Sequence, residues 1–157
     1  VDSHQHMHTL PGIIDIVLDL TEAAGISAMR TPCTPLFAGH FGGFGQLVGR
    51  LGLGTLARMA AHKAKKRGIL TPEHFAGIVA GEAVSEKELL HVVENLQSGT
   101  TEVMMHPGIH NEILQQDSGW QHDFEEELQA ITSAKVRQAM EQGDVKPVNF
   151  RHLSCGL

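Results

Sequence analysis

Apolar and polar positions change period several times along the chain, and each change predicts an element. "VDSHQHMH" alternates with a period of two. In an extended strand it would place Asp2, His4, His6 and His8 on one side and Val1, Ser3, Gln5 and Met7 on the other. "GIIDIVLDLTEAAG" follows Pro11, a residue that a first helical turn tolerates. Ile13, Val17, Leu20 and Ala24 then share a helical face, Asp15, Asp19 and Glu22 lie on another, and Gly25 is placed to end the helix. "ISAMRTP" reads as a short strand stopped by Pro32, and "FAGHFGGFGQLVGRLGLG" as a glycine-rich connection entering a helix through "TLARMAAHKAKKRG". "HFAGIVAG" predicts another strand. "SEKELLHVVENL" carries a capping box, Ser85 with Glu88, and an apolar face of Leu89, Val92, Val93 and Leu96. "TTEVMMHPG" is a strand ending in a turn. "DFEEELQAITSAKVRQAMEQG" is helical with a break near Thr132 and Ser133, either of which can cap the second piece, and "KPVNF" fits a last strand.

This alternation of strands and helices predicts an α/β fold, a parallel sheet or a (β/α) barrel. Only about five strands are present, and a closed eight-stranded barrel needs about 200 residues or more. Residues 1–157 are therefore expected to be the C-terminal part of a single barrel-like domain that is incomplete here. The chain begins with Val inside a strand-like motif, which also suggests a fragment lacking N-terminal strands. Hydrophobic residues at 41% and charged residues at 19% suit a packed globular chain rather than a disordered one. Twelve basic against eighteen acidic residues, a formal charge of -6, argue against nucleic acid as a partner. No apolar run approaches the roughly 20 residues of a membrane span. Cys33 and Cys155 offer neither metal spacing nor a disulfide framework, so a reducing, cytoplasmic setting is expected.

Chemistry is expected where strands end and loops begin. Imidazole is a common ligand of zinc and other transition metals, which makes the histidine motif a candidate metal or catalytic segment. Arg30 lies in the second strand end. In the third, Glu102, Met104 and His106 share a face. Glu102 would be costly inside an apolar strand unless paired, and a partner for Arg30 or a histidine is its expected role. His106, held by Pro107 and Gly108, suits a general acid or base. "GGFGQLVG" lacks the Gly-Lys-Ser/Thr ending of a phosphate loop, so a lid or tight packing is the better reading. Lys63, Lys65, Lys66 and Arg67 sit near a helix end, where the macrodipole favours cations. Trp120 and Phe124 read as packing residues, and His40, His62, His74, His91, His110, His122 and His152 show no ligand spacing.

"DSHQHMH", "LPGIIDIVLDLTEAAGI", "MRTP" and "TEVMMHPG" together resemble the YdjC-like carbohydrate deacetylases, and "GILTPEHFAG" resembles the branch associated with hopanoid biosynthesis. The resemblance implies a barrel-like deacetylase fold of the NodB/YdjC type and hydrolysis of the acetamide of an N-acetylated sugar or glycolipid. It implies one divalent metal ion, magnesium or zinc, with His4 as a ligand. By the same resemblance His106 and Arg30 are catalytic, and His6 and His8 are placed as substrate contacts. The family's Asn-Ala-Asp-Asp-Phe-Gly segment and its second metal-binding histidine have no counterpart in these residues, so the chain alone is expected to be inactive. An unpaired sheet edge would also favour a homo-oligomer. Two alternatives stand beside this reading: an amidohydrolase-type metal hydrolase, and a non-catalytic barrel half.

Overall fold

The computed structural model describes residues 1–33, 44–77 and 83–155, with side chains of 44–51 and 154–155 outside the description. Its elements are helix α1 (Ile13–Ala23), α2 (Phe44–Lys66), strand β1 (His74–Ala76), α3 (Glu86–Glu94), β2 (Thr101–Val103), α4 (Asn111–Ser118), α5 (Phe124–Thr132) and α6 (Ala134–Gln142). Short 3-10 turns cover His4–Thr9 and Phe150–Cys155. The chain divides into two compact units. One comprises Val1–Phe75, Gly99–Glu102 and Val148–Leu157; the other comprises Ala76–Ser98 and Val103–Pro147.

In the first unit the core joins Ile14 and Leu18 of α1, Ala60 and Ala64 of α2, Met29 and Ile69. The face of α1 that turns inward is Ile14, Leu18 and Thr21, not the expected Ile13, Val17, Leu20 and Ala24. Both stripes of "IIDIVLDL" are apolar, so hydrophobicity alone does not choose between them. Burying Thr21 is tolerated because its hydroxyl donates to the Val17 carbonyl at 2.6 Å, leaving no unsatisfied polar group. Lys63 of α2 reaches Asp15 of α1 at 2.7 Å, and Arg67, just past α2, reaches Asp19 and Glu22. The basic cluster is thus at least partly engaged by the acidic face of α1.

Several expected strands are shorter or absent. "ISAMRTP" forms a single parallel bridge, Ala28 with Leu70. "HFAGIVAG" is a strand only at His74–Ala76, and its residues 78–82 lie outside the described residues. The glycine-rich connection is helical from Phe44 onward, so Gly52 and Gly54 lie inside α2. Each interior glycine costs about 1 kcal/mol against alanine. The fully buried Ala57, Ala60 and Ala64 of the following turns offset that through packing. Of "GGFGQLVG", where a lid or tight packing was expected, Gly42 and Gly43 lie outside the described residues, as does His40, and residues 44–49 are part of α2. "KPVNF" forms no strand: Pro147 lacks the N–H a ladder needs, and the chain enters a 3-10 turn at Phe150.

Among the described residues the sheet is two-stranded, β1 beside β2. His74 N donates to Thr100 O and Met104 N to Ala76 O, partners that advance together along the chain, so the pairing is parallel. An α/β fold is what remains of the expected barrel series, mostly helical with this small parallel sheet.

The second unit packs Val84, Leu89, Ala130 and Val136, flanked by Leu90, Val93, Val103, Met105 and Met140. The starts of α3, α5 and α6 are as predicted, whereas α4 falls where only a loop was expected. Ser85 accepts from Glu88 N while the Glu88 carboxylate accepts from Ser85 N, the full capping box. Ser133 ends α5 and caps α6, accepting from Lys135 N and Val136 N. Gly77 is the tightest point of the path leading to His106. Its φ is +96°, and a Cβ there would stand 2.0 Å from the Met104 carbonyl oxygen. Gly77→Ala is therefore expected to cost about 2–4 kcal/mol, combining left-handed strain with overpacking. Urea denaturation checks this, and an unshifted midpoint would refute the close approach.

Candidate active site

The histidine motif folds as a turn and not as the expected strand. Gln5 and His6 adopt left-handed backbone angles, φ +51° and +57°, which end the period-of-two alternation. Ser3 makes this turn possible. Its hydroxyl oxygen accepts from His8 N at 2.9 Å, and His6 N donates to Ser3 O. The outcome sorts the three histidines by environment: His4 is exposed, while His6 and His8 are buried.

His8 is braced at both ring nitrogens. Nε2 lies 2.8 Å from the Arg30 carbonyl oxygen and Nδ1 lies 2.9 Å from Ser3 Oγ. A carbonyl can only accept, so Nε2 carries the proton and the neutral ring accepts at Nδ1 from the serine hydroxyl. Burial holds the His8 pKa below its ordinary value, and the bond to the Arg30 carbonyl opposes this in part. This ring fastens the turn to the backbone of Arg30 and leaves neither nitrogen for the expected substrate contact. His6 sits edge-on to Phe75 at 5.7 Å and to His8 at 6.3 Å.

Arg30 is held by two carboxylates. Nε donates to Glu102 Oε1 at 2.7 Å and Nη1 meets Asp2 Oδ2 at 2.9 Å, while the guanidinium carbon stands 5.9 Å from the Phe75 centroid. Glu102 is thus the arginine partner that its place in an apolar strand demanded. Its Oε2 is buried with no hydrogen-bond partner among the described residues. Burial raises the Glu102 pKa, and the bond to Arg30 works against that rise.

His106 belongs to the second unit and is organised by a residue the sequence reading passed over. Glu127 of α5 is 1% exposed. Its Oε1 accepts from Val84 N at 3.0 Å, and its Oε2 accepts from His106 N. The His122 ring lies beside the same carboxylate, with Nε2 3.2 Å from Oε1, and His106 Nδ1 is 4.0 Å from Oε2. Trp120 stacks on His122 at 4.0 Å and meets His106 edge-on at 5.0 Å. Phe124 meets both rings of that stack edge-on, at 5.7 Å from Trp120 and 4.9 Å from His122.

Local contacts fix this arrangement. Gly108 N donates to Phe124 O, and a Cβ at Gly108 would come within 2.5 Å of Leu114. Asp123 caps α5 through Glu126 N and also accepts from Asn111, whose hydrogen bond is the chief reason its pKa is lowered. Among the described residues, His106, His122 and Glu127 form a group whose ligating atoms all lie within 4.8 Å of one another, whereas His4 stands in no such group. His122 lacked spacing to mark it. Glu127 did carry a signal: it shares the buried face of α5 with Phe124 and Ala130, three residues to either side.

The family model described as "YdjC-like protein" matches residues 1–142. A carbohydrate deacetylase of Brevibacillus brevis (strain 47 / JCM 6285 / NBRC 100599) is 25% identical over 154 residues, covering 98% of this chain and 52% of that protein. A carbohydrate deacetylase of Thermoanaerobacter pseudethanolicus (strain ATCC 33223 / 39E) is 21% identical over 150 residues, covering 96% and 50% respectively. The chain therefore spans about half the length of these curated relatives. A solved structure from Enterococcus faecalis V583, of a protein proposed to cleave cellobiose phosphate, superimposes with a TM-score of 0.62 at 20% identity. It covers 97% of this chain and 51% of its own, and the likeness speaks for the fold.

The bracing of His8 has a pH signature. A histidine whose folded pKa lies below its ordinary 6.5 binds its proton more readily when unfolded, so its contribution is complete above that value. The contribution is lost as pH falls through 6.5 toward the folded pKa. Stability measured by denaturation between pH 7.5 and about 5 is expected to fall in the wild type and to fall less steeply in His8→Gln. Equal slopes would show that His8 carries no such linkage.

Proposed function

The chain belongs to the YdjC-like protein family, and from that premise we propose that it forms part of a carbohydrate deacetylase, a hydrolase removing the acetyl group of an N-acetylated sugar. The observation that carries this reading is the family match over residues 1–142, joined by two carbohydrate deacetylases aligned along nearly the whole chain. The match favours this reading over the amidohydrolase-type alternative. The substrate class proposed is an N-acetylated saccharide, free or carried on a lipid. Among the described residues no helix is long and apolar enough to cross a membrane.

The reading includes one divalent ion, magnesium or zinc, with the exposed ring of His4 among its ligands. Such an ion, when bound, polarises an amide carbonyl and makes a water more acidic. Among the described residues His4 stands in no group of three or more side chains able to share one ion. The steps assigned to the chain are therefore those of its own side chains, and we propose that these residues alone turn over slowly at best.

Arg30 is positioned by Glu102 and Asp2, which commit Nε and Nη1. Among the described residues no hydrogen bond holds Nη2, so that edge of the guanidinium is assigned to the oxygen that gains negative charge as the acetamide is attacked. His106 is assigned the proton delivered to the departing amine. Its side chain is 42% exposed while its backbone is fixed by Glu127, so the ring meets solvent from a rigid support. The mostly buried pair of Arg30 and Glu102 has a positioning role, because an unpaired buried carboxylate beside Arg30 would be costly.

The test is acetate release from N-acetylglucosamine oligomers by the protein at its natural length. His106→Ala is expected to lower kcat by about 10²–10⁴-fold, the range for losing a general acid. Arg30→Met is expected to lower kcat/KM by about 10²–10³-fold, as for the loss of a charge-stabilising donor. Full activity in both variants would remove these assignments. Absence of acetate release by the wild type across these oligomers and their monomer would count against the deacetylase reading itself.

A further inference from the structure

We infer that His106, His122 and Glu127 form a binding site for a transition-metal dication of the zinc and cobalt class, separate from the ion assigned to His4. The donors are of the right kind, two imidazoles and one carboxylate, a set that zinc accepts as three protein ligands with a fourth position open. They come from the segment after β2, the turn before α5, and α5 itself, all within the second unit.

The geometry points the same way. His122 is 2% exposed, and neither of its ring nitrogens has a hydrogen-bond partner among the described residues. A buried imidazole left in that condition is costly unless something else meets it. Its Nε2 stands 3.2 Å from Glu127 Oε1 without making a hydrogen bond to it. That separation is close to the roughly 3.3–3.5 Å between two ligands of one tetrahedral zinc with bonds of about 2.0–2.2 Å. All three ligating atoms lie within 4.8 Å, so only His106, the most exposed of the three, needs to close inward.

Glu127 is also supported as a ligand would be. Each of its oxygens already accepts one backbone N–H, from Val84 and from His106, which fixes the carboxylate plane. A carboxylate oxygen has a second lone pair, so one remains on each for an ion. The Trp120 ring stacked on His122 fixes that imidazole in turn. Outer contacts of this sort orient metal ligands and sustain affinity. An ion seated here would occupy a His106 nitrogen, so its binding opposes the proton-donating role assigned to that ring.

The experiment uses the full chain and cobalt(II) alone as probe, followed by visible absorption and calorimetry, with zinc as competitor. One cobalt per chain is expected, displaced by zinc, with the intense visible bands of a low-coordinate site. His106→Ala and His122→Phe are each expected to weaken binding by more than about 100-fold, beyond what loss of an outer contact produces. His4→Ala is expected to leave this binding unchanged. His106 is partly exposed, so His106→Ala decides the matter even if His122→Phe does not fold. Cobalt binding unaffected by His106→Ala, binding abolished by His4→Ala, or no binding by the wild type would each overturn the inference. Because the readout is metal binding and not acetate release, the result is independent of the deacetylase reading.

Discussion

A single buried carboxylate, that of Glu127, organises the second unit. An ionised group taken out of water must recover its hydration from the protein, and here the recovery comes from two separate stretches of backbone. One oxygen takes the N–H of Val84, one residue before the cap of α3, and the other takes the N–H of His106, just beyond β2. The helix that carries Glu127 is therefore tied to the backbone just before α3 and to the chain just after β2. The apolar cluster of Val84, Leu89, Ala130 and Val136 forms around that constraint.

The first unit uses polar side chains in a comparable way. Ser3 and His8 close the turn of the histidine motif, and His8 reaches across to the backbone of Arg30. The side chain of Arg30 is gripped in turn by Glu102 and Asp2. Arg30 is thereby fixed at two points, by its own carbonyl and by its guanidinium. Of the three histidines in the motif, two serve the interior and one faces water, a division of labour that their even spacing conceals.

Helix boundaries were legible because capping chemistry is local. Ser85 with Glu88, and Ser133 between α5 and α6, each announce themselves within four residues. The pairing of Arg30 with Glu102 was legible too, because a carboxylate in an apolar strand calls for a cation. Other features depend on backbone angles and packing that periodicity and spacing do not encode. Two left-handed residues, Gln5 and His6, undo a strand pattern that sequence periodicity supports. The inward stripe of α1 was settled by what packs against it, since both stripes are apolar. His122 has its role through Trp120, two residues before it, and Glu127, five after, a spacing that matches no ligand motif. The family resemblance, by contrast, rested on contiguous motifs and is borne out over residues 1–142.

Ser133 has one further consequence. Its hydroxyl proton goes to Glu86 at 2.6 Å, while its lone pairs receive the amides of Lys135 and Val136. Every bonding capacity of that oxygen is in use, once as donor and twice as acceptor. Aspartate and asparagine are good helix caps elsewhere, but aspartate would set a second negative charge against Glu86, and asparagine carries its donor on a different atom from its acceptor. The chemistry of this cap thus calls for a hydroxyl, serine or threonine, because of a neighbour 47 residues away in sequence.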